Sequence, residues 1–524
     1  MEYDSTSNTL IINVHDYQDF SASRYSIQYD NILANSYTYL DLFLYIGILI
    51  IGIVCTGLLI FHFSVILFSR IYLYRFTFPQ LTSAKCSPDT VPSVDTSKLP
   101  LPGITIIKPL TGVDEAVITN LRSFFYLDYP RYEILFCVSD PLDPVIPHVE
   151  ALIKEHSHSV DACLLFSDEN ESFVNPKINN MNPAYLKASY DYVLISDVGI
   201  YMYPNTLSDM VITMLSEENV GLVHQIPFLF PHQCSQQVLS QKQTSNAPTA
   251  WVHQLVYFGC WHAKMYMGAA MLGINCTTGM SCLMRKRVLD SAGGLAHFGQ
   301  YLAEDFFFSK YFYDNGWKVR VASQPAWQHA IVPSIKQFQD RMLRWYQLRL
   351  AMVPVASLLE LFSGCFINGI VHAFCYAYLF PYLIDPVAFF FFHVLIWFMM
   401  DFIMLHQIHP PGIKIAVSKV SFFAMWALYE STSVFTQFRA LFTRDIHWRG
   451  KRYRLEFGGR AHRLLDSSKT QDPEALVEEH SLTSFESAEE PMTHSPTKSA
   501  PVTSISIPAN EQNVIHTREP CTVQ

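Results

Sequence analysis

YEILFCVSDPLD (Tyr132 to Asp143) and YVLISDVG (Tyr192 to Gly199) share one pattern, a short apolar run that ends on an acid in a turn. Runs of this length, rich in β-branched and aromatic residues and bounded by Pro, Gly or Asp, read as buried strands. ITII (Ile104 to Ile107) and Val160 to Phe166 are two more. Helical periodicity fills the intervals, over Val113 to Leu127 and in a stretch that includes Pro183 to Tyr190. Strand–helix alternation predicts an α/β domain with a largely parallel sheet, and such sheets bind ligands outside the carboxyl ends of their strands. Asp140, Asp143 and Asp197 fall at those ends. The plainer explanation for the first two is that Asp before Pro141 or Pro144 forms a turn.

Further along, YLAEDFFFSKYFYDNGWKVRVASQPAWQHAIVPSIKQFQDRMLRW (Tyr301 to Trp345) sets the acids Glu304 and Asp305 against Phe306, Phe307 and Phe308, and closes on Arg341, Arg344 and Trp345. A carboxylate among aromatics is partly desolvated, which raises its pKa and suits it to accept a proton. Arginines at i and i+3 share one helix face and can fork around phosphate oxygens, with Trp345 as a stacking surface. Acid and cation beside a long apolar region suggest a transferase with a phosphate-activated donor. Taken singly, the acids also suit a helix N-terminus and the Arg–Trp pair a membrane-interface anchor.

On the other side of the strand pattern, LDLFLYIGILIIGIVCTGLLIFHFSVIL (Leu40 to Leu67) is long enough to span a bilayer, and lies too far into the chain for a cleaved signal. Residues 1–38 are acidic and read as a flexible lumenal extension. Arg70, Arg75 and Lys85 follow the span, which orients the next residues toward the cytosol. Residues 76–100 read as a Pro/Ser/Thr linker and 101–353 as the catalytic domain. After Pro354, residues 355–380 and 387–405 read as a membrane hairpin. The stretch 417–442, with Glu430 and Arg439, either spans or lies in the interface. Gln254 to Ile274 is apolar but carries His262 and Lys264, which fits an interfacial segment or a buried core helix. A basic segment (443–465) precedes a Ser/Thr/Pro/Glu tail (466–524) with little to bury.

The balance of the 524 residues agrees with this division: 50% are apolar, 16% are charged and the net charge is −10, which excludes a basic nucleic-acid surface. Eleven cysteines without a CxxC read as reduced thiols. The sequons at Asn170 and Asn275 fall in the domain expected to be cytosolic.

IIKPLTGVD (Ile106 to Asp114), YLDYPRYEILFCVSD (Tyr126 to Asp140), NPKINNM (Asn175 to Met181), TGMSCLMRK (Thr278 to Lys286), AGGL, AED, QFQDRMLRW and HWRGKRYRL stand in an order that resembles the ceramide glucosyltransferase family. The resemblance runs from Leu101 to Leu465. It implies a glycosyltransferase A-type (Rossmann-like) domain with α-helical membrane segments, at the Golgi membrane, acting on UDP-glucose and ceramide. It implies Asp305 as proton acceptor, with Arg341, Arg344 and Trp345 beside it. Asp140, Asp143, Lys177, Asp197 and His262 are the implied donor-binding residues. Asp197 is also the implied metal residue for Mg2+ or Mn2+, although Val198-Gly199 replaces the second acid of the usual Asp-x-Asp pair. Another lipid acceptor or a processive polysaccharide synthase would use much the same chemistry. A transporter or scaffold with a dead transferase domain is a third reading, against which the acids are all present and no membrane segment shows a transporter's repeated, broken-helix pattern.

Overall fold

The computed structural model describes residues 2–4, 9–11, 15–81, 101–167, 173–230, 249–329, 334–409, 415, 417–448 and 450–464. A short antiparallel pair, β1 (Glu2–Asp4) and β2 (Thr9–Ile11), precedes a helix from His15 to Leu81. Its Tyr39–Leu73 part is apolar enough to cross a membrane and contains the span expected from the sequence. The helix begins well inside the segment expected as a flexible extension, and its end takes in the first residues of the expected linker. Residues 82–100 of that linker, and the tail beyond Leu464, lie outside the described residues.

A seven-stranded sheet forms the centre of the following domain. Its strands are β3 (Ile104–Leu110), β4 (Tyr132–Val138), β5 (Asp161–Phe166), β6 (Tyr192–Ser196), β8 (Val220–His224), β10 (Ser281–Arg285) and β11 (Lys318–Val321). They lie in the order β11-β8-β10-β6-β3-β4-β5. β3 is buried along its whole length, because a strand covered on both faces needs no polar alternation. Ile106, Phe136 and Leu194 pack into one face, and Ile107, Leu135 and Val193 into the other. This is the period-two geometry of neighbouring strands in register.

The sheet is largely parallel, as expected, with β11 parallel to β8 and only β10 reversed. β3 runs parallel to β4 and β6, and β4 to β5, but β10 is antiparallel to both β6 and β8. An apolar run carries no direction, so nothing in SCLMR foretold this. The reversal matters for the site, because Ser281 at the start of β10 pairs with Ser196 at the end of β6. A smaller sheet of β7 (Ile200–Tyr201), β12 (Ala326–Gln328) and β9 (Pro227–Leu229) extends the same edge.

The stretch Gln254 to Ile274 is helical as far as Leu272 and buried over most of its length, with Leu272 and Ile274 exposed at its end. It consists of Thr249–Val256, a π turn over Tyr257–His262, and Ala263–Leu272, and it packs against the membrane helices. The Ile335–Met352 helix begins with a capping box, in which Ser334 and Gln337 satisfy each other's backbone N–H groups. The expected span 355–380 is instead two helices, Pro354–Glu360 and Cys365–Leu379, bent by 70°. Ser363 and Gly364 interrupt it, and the Glu430 carboxylate accepts the Cys365 N–H at 2.8 Å, capping the second helix. Pro386–Ile408 is a second helix apolar enough to cross a membrane. Lys419–Leu441 falls short of that apolarity, and packs on the Ile335–Met352 and Thr249–Val256 helices. The basic segment folds as a sheet of β13 (Asp445–Trp448), β14 (Lys451–Leu455) and β15 (Ala461–Leu464), where Asp445 pairs with Arg452 and Arg454. All eight described cysteines are free thiols.

Candidate active site

The β6–β10 register builds the first half of the site. The Asp197 N–H donates to the Met280 carbonyl at 2.9 Å, which lays the Thr277–Met280 turn beside Asp197. Below it, Lys108 sits fully buried in β3 where an apolar residue would be expected. Its ammonium donates to the Asp197 carbonyl at 2.6 Å and lies 3.9 Å from the Phe124 ring centroid, so it fixes the turn that carries Asp197. Across the turn, Asn175 caps the Pro176–Lys187 helix through the Lys177 N–H. The Lys177 ammonium stands 2.9 Å from Asp197 Oδ1 and 2.9 Å from Glu304 Oε1. It also donates to the Gly279 carbonyl at 3.3 Å. Asn175 Nδ2 donates to Glu304 Oε2 and to the Tyr301 carbonyl, both at 2.8 Å. Burial alone would lower the Lys177 pKa, but the two carboxylates outweigh it and hold the ammonium charged.

Asp305 stands at the start of the Glu304–Asp314 helix. Gly279 N–H donates to its Oδ2 at 2.6 Å and Phe306 N–H to its Oδ1 at 2.9 Å. A side chain at Gly279 would bring a Cβ to 3.0 Å from that of Asp305, so the close approach favours glycine. Burial first, and the neighbouring Glu304 charge second, raise the Asp305 pKa to about 6, against the opposing pull of Lys177 and the two N–H donors. Lys177, Gly279, Cys282, Glu304, Asp305 and Phe308 line a small cavity. A carboxylate with that pKa is mostly ionised at neutral pH and has the chemistry to accept a proton there.

The second half faces it from the Ile335–Met352 helix. Arg341 and Trp345, one turn apart, stack with the guanidinium 4.7 Å from the ring centroid. Trp345 in turn lies nearly parallel to His262, with centroids 5.7 Å apart and planes at 14°. His262 closes the π turn, a local widening often found at functional sites, and stacks on Tyr257 at 5.0 Å. Its buried Nδ1 has no hydrogen-bond partner among the described residues. Burial, followed by the Arg349 and Arg341 charges, keeps its pKa well below the usual imidazole range, so the ring is neutral at pH 7.

Burial also lowers the pKa of Arg341; Asp197 opposes that shift and Arg344 adds to it. Arg344, likewise lowered by burial, is opposed by Asp340. Among the described residues neither arginine makes an ion pair with a carboxylate, whereas Arg349 is held by Glu360 at 3.0 and 3.3 Å. Two cations are therefore left without a carboxylate, opposite a first half in which one ammonium, Lys177, stands among three carboxylates, Asp197, Glu304 and Asp305.

The structure brings Lys177, Asp197 and Asp305 together, and Arg341, Trp345 and His262 together. Asp197 is the electrostatic link between the two groups. Asp140 and Asp143 stand apart, at the carboxyl end of β4. Asp143 is buried and accepts the Gly112 and Val145 N–H groups, binding the loops after β3 and β4 into one edge. Asp140 is exposed and caps its own turn through the Leu142 N–H. Sequence reasoning left Glu304, Asn175, Gly279 and Lys108 without roles, though each lies in a motif it singled out. Tyr266, whose hydroxyl donates to the Thr277 carbonyl at 3.3 Å, gave no signal of its own.

Among the described residues no three His, Cys, Asp or Glu side chains cluster to hold a metal. Asp197, the implied ligand, already pairs with an ammonium. The donor set fits only a cation that brings its own phosphate and water ligands and takes Asp197 as its one protein ligand.

Residues 62–461 match the sequence profile of glycosyl transferase family 21. The chain belongs to that family. It is 36% identical to ceramide glucosyltransferase 3 of Caenorhabditis elegans over 359 residues, 68% of this chain and 74% of that one. It is also 36% identical to the worm's ceramide glucosyltransferase 1, over 72% and 76%. With ceramide glucosyltransferase of Komagataella phaffii the identity is 28%, over 59% and 69%. Among solved structures, the mannosyltransferase PcManGT from Pyrobaculum calidifontis, in complex with GDP-Man and Mn2+, aligns over 75% of this chain and 96% of its own. The TM-score is 0.38 and the identity 16%. S. aureus TarS in complex with UDP-GlcNAc aligns over 70% and 100%, with TM-score 0.31 and 13% identity.

Proposed function

We propose that this chain is an inverting glucosyltransferase that moves glucose from UDP-glucose to the primary hydroxyl of ceramide. The observation that carries the reading is a carboxylate poised near pH 6, Asp305, in a domain whose Arg341 and Arg344 make no ion pair with a carboxylate among the described residues. The curated relatives named as ceramide glucosyltransferases supply the substrate classes.

In this reading the uridine lies over the β3–β4 edge that Asp143 ties together, with Asp140 at its rim. Lys177 and Asp197 meet the sugar diphosphate. Asp305 takes the proton from the ceramide hydroxyl as its oxygen attacks the anomeric carbon. The bond to the phosphate oxygen breaks on the opposite face, and UDP leaves with the bonding electrons. One displacement inverts an α-linked donor to a β-glucoside. Arg341 and Arg344 stabilise the charge that builds on the leaving diphosphate, and preorganised donors of this kind are each worth about 3 kcal/mol. Trp345 and His262 cover the site against water. Asp197 is the single carboxylate that a divalent cation arriving with the diphosphate would use.

Ceramide hardly leaves a bilayer, so the two membrane-length helices belong to the reading. The catalytic domain faces the cytosol at the Golgi membrane. The test is transfer from radiolabelled UDP-glucose to a short-chain fluorescent ceramide, in membranes containing the parent or Asp305→Asn. A labelled lipid from the parent alone, cleaved by β-glucosidase, is the expected result. Label in a different lipid or in a polymer would overturn the acceptor.

A further inference from the structure

Asp401 lies near the end of the Pro386–Ile408 membrane helix and is 1% exposed. Its Oδ1 stands 3.2 Å from the Lys264 ammonium and 3.1 Å from His62 Nε2 on the first membrane helix. Its Oδ2 accepts the Trp426 indole N–H at 2.9 Å, from the Lys419–Leu441 helix. One carboxylate thus ties four separate elements together. The ammonium also lies 4.9 Å from the Trp397 ring centroid and 5.4 Å from that of Trp261. Burying a charged pair among membrane helices is costly, and apolar packing would join those helices more cheaply. The arrangement calls for a use other than holding the helices together.

That use follows from where Lys264 stands. His262 and Tyr266 are four residues apart and share a helix face, while Lys264 between them points about 200° away from each. The His262 and Tyr266 rings meet at 4.6 Å. From their face, His262 stacks on Trp345, and Tyr266 holds the carbonyl of Thr277. The Thr277 hydroxyl donates to the Asp305 carbonyl at 3.2 Å, and Gly279, on the same turn, donates to the Asp305 carboxylate. Turning this helix would displace both the aromatic cover and the cradle of the base. The Asp401–Lys264 pair is the charged contact that ties the opposite face of this helix to Pro386–Ile408.

We propose that Asp401 and Lys264 are positioning residues for glucosyl transfer, acting from the membrane on the His262–Trp345 stack and on the Thr277–Gly279 turn. The proposal deepens the ceramide reading and rests on it for the lipid assay. Acceptor-free release of UDP from UDP-glucose reads the pair without it.

The experiment compares full-length parent, Asp401→Asn, Lys264→Met and Lys264→Arg in lipid nanodiscs. It measures kcat, both KM values, UDP release without acceptor, and UDP affinity. Misplacing reacting groups by about an ångström costs on the order of 100-fold. The expected result is therefore a fall in kcat and in acceptor-free release of about tenfold or more in Asp401→Asn and Lys264→Met. UDP affinity stays within about twofold, and Lys264→Arg recovers most of the rate. Rates within about twofold of the parent in both single variants would overturn the proposal. So would loss of UDP affinity in step with rate, which would make the pair a general folding element. A parent that releases UDP but labels no ceramide would instead overturn the acceptor, and the release data would still judge the pair.

Discussion

The two halves of the site answer opposite questions. At the sheet edge, every charge has a partner: Lys177 bridges Asp197 and Glu304, Asn175 holds the far oxygen of Glu304, and two N–H groups hold Asp305. On the arginine helix, Arg341 and Arg344 have none among the described residues, and burial weakens their hold on their protons. A saturated network keeps its geometry without a ligand, whereas an unsaturated one gains from a bound anion. The first half is therefore built to orient and deprotonate, and the second to receive charge that appears only during reaction.

The largest effect is expected from Asp305→Asn, which removes the proton acceptor and keeps the shape. Turnover falls about 10²- to 10⁴-fold, while UDP affinity by calorimetry changes little. If affinity falls equally, the residue belongs to the binding half and the comparison fails.

Arg341→Ala tests the other half. It lowers kcat on the order of 100-fold with a small change in KM for UDP-glucose. A near-normal rate would return this helix to a membrane-anchor role.

The saturated half responds differently. Lys177→Met leaves the buried Glu304 and the partly exposed Asp197 carboxylates without their cation, a loss of about 3 kcal/mol. Thermal unfolding should show it as a lowered Tm, and KM for UDP-glucose should rise. Unchanged stability would mean that Lys177 is held less firmly than its distances suggest.

The smallest effect is expected from Asp140→Ala. An exposed turn acid contributes within about 0.5 kcal/mol, so UDP affinity changes less than about threefold. Asp143→Ala, which frees two backbone N–H groups, changes it more. Equal effects would place Asp140 in contact with the nucleotide.

The contrast between halves also marks what the sequence made legible. β4 is found where its apolar run predicts it, because strands covered on both faces leave an uninterrupted signal. Asp305 and Arg341 stood out because charged residues beside aromatic runs are conspicuous. The pairing of Glu304 with Lys177 did not, because the two meet only through the fold. The direction of β10, on which Asp197 and Gly279 depend for their meeting, is not a property of any run of residues. The break at Ser363-Gly364 was visible as two weak helix formers, but apolarity alone reads 355–380 as one span. Asp401 and Glu430, acids in apolar segments, carried a signal whose partners only the packing supplies.

The pH dependence of kcat/KM tests the central claim most directly, measured for the parent and Glu304→Gln. Asp305 accepts a proton only when ionised, and its pKa stands near 6. The parent's rate should hold above pH 7 and fall about tenfold per unit as the pH drops below 6. Removing the Glu304 charge removes one cause of the raised pKa, so the acid limb should move to lower pH. A flat profile between pH 5 and 8, or a limb that moves upward in Glu304→Gln, would contradict Asp305 as the proton acceptor.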